Sequence, residues 1–321
     1  MSTENENIPK DRKSLLADIA EMYFVHGKTQ EEIAVFVGVT RSNISRMLKE
    51  ARKSGIVEIT INRPLQEDHK LTEELIKRFD LVSARVIKID HSSQNLKLLG
   101  KAAGKELMSR LKPGSVIGTS WGTAISATVG EMENDTTFQD IKVVQLLGAL
   151  GARIEDYDAN AIVRRLAKKL DADGYYVNAP FLVDDKKTAD SLRKNRNLQE
   201  TIRWGKQADI ALLGVGSSEK AHCSFFLADY VTRKELEEIQ NNGAIGDVCG
   251  RFFDINGQMT AESFQNKLIG ISLQDLLRIP IRLGVAGGAA KIDPIIGALR
   301  GRLINALVSD VKTISEVLQR T

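Results

Sequence analysis

Residues 28 to 57 read KTQEEIAVFVGVTRSNISRMLKEARKSGIV and contain the clearest local structural signals in this chain. Thr29 and Glu32 form an S/T-x-x-E capping box, which predicts that a helix begins there. Gly38 suits the positive φ that ends a helix, and Thr40 is a typical cap for the next one. The stretch therefore predicts two short helices joined by a turn of about four residues.

The second of these helices is predicted to have one apolar and one polar face. Ile44, Met47, Leu48 and Ala51 recur at helical spacing and should form a buried stripe. The remaining side chains face outward, and their types are those that read base edges and contact phosphates in the major groove. These predicted DNA-binding residues are Thr40, Arg41, Ser42, Asn43, Ser45, Arg46 and Lys49.

The residues after this pair extend the same prediction. Gly55 should end the second helix, and the alternating IVEITI of residues 56 to 61 predicts a strand, so the unit is typical of a winged helix-turn-helix. Six basic residues stand between Thr40 and Arg63 against Glu50 and Glu58, which is a local positive surplus. The alternative is a surface helical hairpin whose exposed face is basic. Double-stranded operator DNA is the expected partner.

Length and composition indicate an intracellular protein of two domains. The chain has 321 residues, of which 42% are hydrophobic, and we expect a DNA-binding domain over residues 1–62 and an effector-binding and oligomerisation domain over 63–321. Cys223 and Cys249 are too few for a disulfide framework or a cysteine-rich zinc site, and both should be buried. No stretch predicts a membrane helix or a signal peptide. The expected location is the cytoplasm.

The second domain alternates short β-branched runs with helical stretches. Residues 66 to 79 predict a charged helix that packs on the larger domain or pairs with a second subunit. From Ala84 onward, seven buried strands are predicted, which indicates a Rossmann-like α/β fold with a mostly parallel sheet. Residues 252 to 259, FFDINGQM, predict a small antiparallel excursion with its turn at Asn256-Gly257. The predicted strands are ARVIKI, SVIG, IKVVQLLG, DGYYVNAP, DIALLGVG, IRLGVAGG and LINALVSD.

Four glycine-containing runs follow predicted strands, at residues 118–123, 148–151, 214–218 and 287–291. In a parallel sheet such strand ends meet at one edge, and glycine lets the backbone close on a small anion at a helix start. None of the runs matches the nucleotide P-loop or the dinucleotide fingerprint, so neither ATP nor NAD is expected. The pattern favours a phosphate-bearing ligand.

Two charged residues are candidates for contacts with that ligand. Lys291 opens a predicted helix, where a cation opposes the helix dipole unless an anion is bound. Asp247 could accept hydrogen bonds from sugar hydroxyl groups. The alternatives are a solvated lysine at a helix start and an aspartate that serves only a turn or cap.

The chain as a whole resembles the SorC-type bacterial transcriptional regulators. The resemblance covers nearly the whole length and is carried by TQEEIAVFVGVTRSNISRMLKEARKSGIVEI, VIGTSWGTAI, VVQLLGALG, ANAIVRRLA, ADIALLGVGS, AIGDVCGRFFDINGQ and GVAGGAAKIDPIIGAL. It implies control of a carbohydrate-catabolic operon, a sugar or sugar phosphate as effector, and tetramers built from dimers. It also implies a larger domain similar to glucosamine-6-phosphate deaminase and ribose isomerase folds.

The same resemblance implies a set of effector-binding residues. Gly122 and Thr123 would belong to a phosphate cradle, with Gly148, Asp247 and Lys291 around the sugar. A sugar-phosphate isomerase or deaminase is the alternative function, since it would need a base and an acid across such a pocket. An enzyme has no use for a basic winged helix-turn-helix, and the expected pocket has no obvious histidine base. We therefore predict a regulator with no catalytic residue, metal or cofactor.

Overall fold

The computed structural model describes residues 10–59, 64–89, 95–149 and 157–321. The chain divides into two compact units, Met1–Pro64 and Leu65–Thr321. Each unit has a hydrophobic core of its own. No helix among the described residues is both long enough and apolar enough to cross a lipid bilayer.

The first unit is a cluster of three helices: α1 (Lys10–Phe24), α2 (Gln30–Val37) and α3 (Arg41–Lys53). Its core consists of side chains from all three helices, including the predicted stripe of α3. These buried residues are Leu16, Ile19, Ala20, Ile33, Ala34, Ile44, Met47, Leu48 and Ala51. The two helices predicted from residues 28 to 57 are thus confirmed.

The strand predicted for the wing is not found over residues 56–59. The amides of Ile56 and Val57 instead donate to the carbonyl of Ala51 at 2.9 and 3.1 Å, which closes the end of α3. Both side chains are half-buried against the helical core. Residues 60 and 61 of the predicted strand lie outside the described residues.

The second unit is built on a central sheet with the strand order β1-β9-β8-β5-β2-β3-β4, in which every neighbouring pair is parallel. The seven predicted strands are confirmed, because each predicted run contributes one strand to this sheet. Two more strands, β6 and β7, extend antiparallel from β5. The strands are β1 (Ser83–Ile87), β2 (Val116–Thr119), β3 (Lys142–Gln145), β4 (Asp173–Tyr175), β5 (Ile210–Ser217), β6 (Gly246–Val248), β7 (Arg251–Phe253), β8 (Ile281–Val285) and β9 (Ala306–Asp310).

Helices connect the strands, as parallel pairing requires. A short 3₁₀ turn, Ala289–Lys291, precedes α14. The helices of this unit are α4 (His69–Phe79), α5 (Asn95–Met108), α6 (Thr123–Glu131), α7 (Ala159–Leu170), α8 (Lys186–Arg193), α9 (Arg196–Lys206), α10 (Ser224–Leu227), α11 (Arg233–Asn241), α12 (Glu262–Gln265), α13 (Leu273–Arg278), α14 (Ile292–Arg300) and α15 (Val311–Gln319).

Helix α4 packs on β1 and α15 of its own chain. Leu75 is fully buried there, and Arg78 donates a hydrogen bond to the carbonyl oxygen of Leu318 at 3.2 Å. Of the two roles predicted for residues 66 to 79, packing on the larger domain is therefore confirmed.

The antiparallel excursion differs in detail from the prediction. Its main hairpin joins β6 to β7 through Cys249 and Gly250, both with positive φ, of 50° and 76°. The predicted turn at Asn256-Gly257 follows, and there the chain pairs Phe253 with Met259 by a single bridge.

The strand order reverses between β2 and β5. From β2 the sheet continues through β3 to β4 on one side, while β5 leads to β8, β9 and β1 on the other. At such a switch point the connections leave in opposite directions and open a crevice beyond the carboxyl ends of the strands. The glycine runs after β2 and β8 border this crevice.

Candidate functional site

The turn between α2 and α3 has the predicted geometry. The side chain of Thr29 accepts a hydrogen bond from the Glu32 amide at 3.3 Å, and Glu32 Oε2 accepts one from the Thr29 amide at 2.8 Å. Gly38 has a φ of 75°, and Thr40 Oγ1 accepts from the Asn43 amide at 3.3 Å. The capping box, the left-handed glycine and the second cap are all confirmed.

The outward face of α3 is polar and positively charged. Thr40, Arg41, Ser42, Asn43, Arg46 and Lys49 are exposed, and Ser45 is half-buried. Arg41 lies 3.8 Å from the exposed Glu31 carboxylate. Within the described part of the chain, no carboxylate lies within 4.0 Å of Arg46 or Lys49. These two cations are therefore available to a nucleic acid backbone or base.

Glu50, the acidic residue of α3, is paired with an arginine of α1. Arg12 of α1 donates to both carboxylate oxygens of Glu50, at 3.3 and 2.8 Å. The hydrogen bond from Arg12 lowers the pKa of Glu50. This bidentate pair joins α1 to α3, and the charge of Arg12 offsets the negative charge of Glu50 on the helix that presents the predicted DNA-binding face.

A pocket of about 180 Å³ lies in the crevice between β2 and β5. Four of the five predicted effector-binding residues line it together: Gly122, Thr123, Asp247 and Lys291. They come from widely separated parts of the sequence, which the sheet topology brings to one place.

Asp247 lies on β6, opposite Gly216 of β5. Asp247 is 9% exposed. Burial raises the pKa of its carboxyl group to about 6, although the charge of Lys291 and a hydrogen bond from Gly250 act to lower it. The Gly250 amide donates to Asp247 Oδ2 at 3.3 Å. Asp247 is thus a strand residue that lines the pocket, and its carboxylate also accepts a hydrogen bond within the turn between β6 and β7.

Lys291 ends the 3₁₀ turn and precedes α14. Burial lowers the pKa of its ammonium group, while the charge of Asp247 acts in the opposite direction. No described residue accepts a hydrogen bond from Lys291 Nζ or places a carboxylate within 4.0 Å of it. A partly buried cation without a close counter-ion is well suited to receive an anionic group of a ligand.

Helix α6 begins at the pocket without a side-chain cap. Its N-cap is Gly122, with a φ of 132° and no side-chain hydrogen bond. A Cβ added at Gly122 would meet no atom within 4 Å, so the pocket is open at this corner. The first-turn amides of a helix lack intrahelical partners and bind anions. Thr123 and the following residue therefore present donors where a phosphate could lie.

Gly148 is separate from this group. It does not line the pocket, and a Cβ there would approach the Cα of Phe181 to 2.5 Å. Its amide donates to the Ile269 carbonyl at 2.9 Å. The glycine accommodates the close approach of a neighbouring backbone, whereas the adjacent Leu147 does line the pocket.

Gly214 and Gly216 lie inside β5, as in the predicted strand over residues 209–216, and pairing with β6 prolongs β5 to Ser217. This glycine run does not open a helix directly, because α10 begins only at Ser224. Both glycines line the pocket. Residues 150 and 151 of the second run lie outside the described residues.

Cys249 and Gly250 are among the residues of the pocket that sequence reasoning missed. Cys249 is buried and unpaired as predicted, and burial raises the pKa of its thiol to about 11. The Asp247-Val-Cys-Gly spacing of the tight turn was the available signal, since a glycine there permits the positive φ that turns β6 back into β7.

Comparison with known proteins extends over almost the whole chain. The Sugar-bind family model, a sugar-binding domain, matches residues 63–319. The sorbitol operon regulator of Klebsiella pneumoniae is 29% identical over 308 residues, which cover 95% of this chain and 98% of that protein. LsrR from Enterobacter sp. (strain 638) is 30% identical over 311 residues, or 95% of this chain and 93% of that protein. The chain belongs to the SorC-type family of transcriptional regulators.

Structural comparison agrees with this assignment. The crystal structure of full-length SorC from Klebsiella pneumoniae matches with a TM-score of 0.73 and 29% identity, over 96% of this chain and 100% of that chain. The deoxyribonucleoside regulator of Bacillus subtilis is 28% identical over 313 residues, covering 95% of this chain and 97% of that protein. The family predicted from the sequence, and with it the combination of DNA-binding helices and a Rossmann-like α/β domain, is confirmed.

Proposed function

We propose that this SorC-type regulator binds operator DNA of a carbohydrate-catabolic operon and that a sugar phosphate in the β2–β5 pocket changes its operator affinity. The observation that carries the proposal is the convergence of an unpaired Lys291, a buried Asp247 and the uncapped start of α6 on one pocket. Two of these features attract an anion, and the third accepts hydrogen bonds from hydroxyl groups. A phosphorylated sugar combines both chemistries.

The phosphate would lie between Lys291 and the α6 amides near Gly122 and Thr123. There the helix dipole and the ammonium charge act in the same direction. Asp247 would face the sugar hydroxyl groups, because a carboxylate beside a phosphate dianion would be repelled. Gly148 would act on this site through Leu147 rather than by direct contact.

Effector binding should be non-covalent. The end of β3 presents Leu147 to the pocket, and an aliphatic side chain cannot capture an open-chain aldehyde as a Schiff base. Lys291 is needed as a fixed cation. The bound sugar would exchange freely with solution.

The α3 face would enter the major groove. In this arrangement Ser42, Asn43 and Arg46 contact base edges, while Arg41, Lys49, Arg52 and Lys53 contact phosphates. One small helix-turn-helix covers half of a symmetric site, so we propose a dimer or a tetramer of dimers as the DNA-binding form. The outer faces of the α/β unit are candidate interfaces.

An enzymatic sugar-phosphate isomerase or deaminase is the second candidate. A carboxyl group with a pKa of about 6 beside a lysine is a plausible acid–base pair. The relatives, however, are named as regulators, and the α3 face would serve no purpose in catalysis. We therefore favour binding without turnover.

A gel-shift assay with DNA upstream of the gene's own operon tests the proposal. Sugars and their phosphate esters are added in turn, and one phosphorylated sugar should change operator affinity more than its free form does. The purified protein should leave that sugar phosphate chemically unchanged over hours by NMR. The proposal would be contradicted if no sugar or sugar phosphate changed the operator affinity, or if the protein converted the sugar phosphate into another compound.

A further inference from the structure

A second, larger cavity of about 630 Å³ lies near the β2–β5 pocket, which is the proposed effector pocket. It is lined by α9, the end of α8 and the segment around residues 265–275. Leu147, which lines the effector pocket, pairs with Gly270, which lines the second cavity. At this bridge the paired segments of Leu147 and Gly270 therefore connect the linings of the two cavities.

The second cavity has an excess of positive charge. Arg193, Arg203, Lys206 and Arg251 line it together with a single carboxylate, Asp275. Asp275 lies 3.3 Å from Lys206, and Arg193 is paired with Asp190 at 2.7 Å. Among the residues that the structure describes, no carboxylate lies within 4.0 Å of Arg203 or Arg251. Two guanidinium charges are thus left without a counter-ion.

Arg251 is the more unusual of these two cations because it is only 6% exposed. Its guanidinium donates to the carbonyl of Cys249 at 2.7 Å and to the carbonyl of Ile271. These two carbonyl oxygens accept hydrogen bonds without neutralising the charge of Arg251, and a buried charge without a counter-ion is costly. Arg282 is another buried arginine held by carbonyls, but it lines neither cavity.

Arg203 places a second, exposed cation at the same cavity. Its guanidinium carbon lies 5.6 Å from the centre of the Trp204 ring, a cation–π contact that leaves its donors free. An anion in the cavity could therefore bind Arg203 directly while it offsets the charge of Arg251.

We propose that this cavity is a second ligand site, for a small metabolite with phosphate or carboxylate groups, separate from the sugar site. Arg251 connects the sites, because it holds the Cys249 carbonyl, and the next residue, Gly250, donates to Asp247. An anion bound at Arg251 would thus act on the turn that positions Asp247. The site stands independently of the identity of the effector.

Calorimetry on the full chain carrying Lys291→Ala tests the site, since this change removes the proposed phosphate contact in the sugar pocket. Pyrophosphate and citrate serve as probes for the phosphate and carboxylate sources. We expect one saturable site per chain for at least one probe. Adding Arg203→Ala should weaken that binding about tenfold, the lower range for a charge-assisted hydrogen bond.

Arg233→Ala is the matched control, because Arg233 is an exposed arginine paired with Glu237 on α11. It should leave probe affinity unchanged. Absence of saturable binding by both probes would overturn the proposal, as would equal weakening by Arg203→Ala and Arg233→Ala. Because Arg203 is exposed, its removal should not unfold the chain, and circular dichroism checks this.

Discussion

Gly216 and Asp247 face each other across β5 and β6, and the carboxylate of Asp247 occupies the space that a side chain at Gly216 would need. A Cβ at Gly216 would lie 1.7 Å from Asp247 Oδ1. Glycine at position 216 is therefore a condition for the observed position of the carboxylate.

Gly216→Ala should displace the Asp247 carboxylate from the pocket while the fold persists, because a short side chain moves more easily than a paired backbone. We expect the affinity for the sugar phosphate to fall about tenfold, equivalent to about 1.4 kcal/mol. Isothermal titration calorimetry measures this. Gly214→Ala is the control in the same strand, since a Cβ there has no atom closer than 3.9 Å. Equal losses in both variants would refute the role of Gly216.

Stability should depend on pH through Asp247. Its pKa of about 6 in the folded chain exceeds its ordinary value of 3.8, so the native state binds the proton more tightly between these values. This contribution favours folding at low pH and is lost as pH rises through about 6, with a total of up to about 3 kcal/mol. Asp247→Asn should therefore gain stability relative to wild type as pH increases from 4 to 7.

Urea unfolding of both proteins across that pH range gives the difference directly, and contributions from unchanged groups cancel. The exposed Asp173→Asn serves as the control for the loss of a carboxyl group outside the pocket. A difference in unfolding free energy for Asp247→Asn that does not change with pH would contradict a raised pKa of Asp247.

Lys291→Ala should weaken sugar-phosphate binding roughly ten- to hundredfold, because a charge-assisted hydrogen bond contributes about 1.5–3 kcal/mol. Operator affinity without effector should stay near the wild-type value. Calorimetry and gel shifts measure the two quantities, with the exposed Lys312→Ala as control. Borohydride treatment of wild type with the sugar phosphate should trap no adduct. Undiminished affinity would remove Lys291 from the site, and a trapped adduct would exclude non-covalent binding.

Arg46→Ala should cost about 1–3 kcal/mol on the cognate operator if Arg46 makes a bidentate base contact. Fluorescence anisotropy with cognate and scrambled duplexes distinguishes a loss of affinity for the cognate sequence alone from a loss of affinity for any DNA. Arg52→Ala is the comparison, since loss of a phosphate contact should weaken both duplexes alike and reduce the salt dependence. Unchanged cognate affinity for a folded Arg46→Ala protein would rule out the base contact.

The DNA-binding form should be a dimer or a tetramer. Static light scattering at micromolar concentration, with and without operator DNA, measures its mass. A single half-site should bind more weakly than the two-fold symmetric operator, because only the latter engages two α3 helices. A strictly monomeric species under all these conditions would contradict this expectation.

The helix-turn-helix could be predicted from the sequence because its signals are local. The capping box at Thr29, the positive φ at Gly38 and the stripe from Ile44 to Ala51 each depend on residues within about two helical turns. The strands of the α/β unit could also be predicted from the sequence, since burial on both faces of a parallel sheet favours continuous apolar runs.

Features set by long-range pairing could not be predicted in the same way. β5 continues to Ser217 because β6 pairs with it, and the sequence of β5 does not reveal that partner. The sequence predicts that Gly148 contacts the sugar, yet the backbone of Phe181 lies where a side chain at position 148 would be. A glycine that admits a ligand and one that admits a backbone have the same signature in sequence.

The pairing of β1 with β9 joins the first strand of the α/β unit to the last. During synthesis, β1 leaves the ribosome more than two hundred residues before its partner, so this half of the sheet closes only after β9 has been made. The three α-helices of the first unit have their own core, so their folding does not depend on the pairing of β1 with β9. A premature stop codon between β1 and β9 would therefore spare the fold of the three helices while it removes β9, and such alleles are expected to lose the response to sugar together with the α/β surfaces on which the proposed dimer depends.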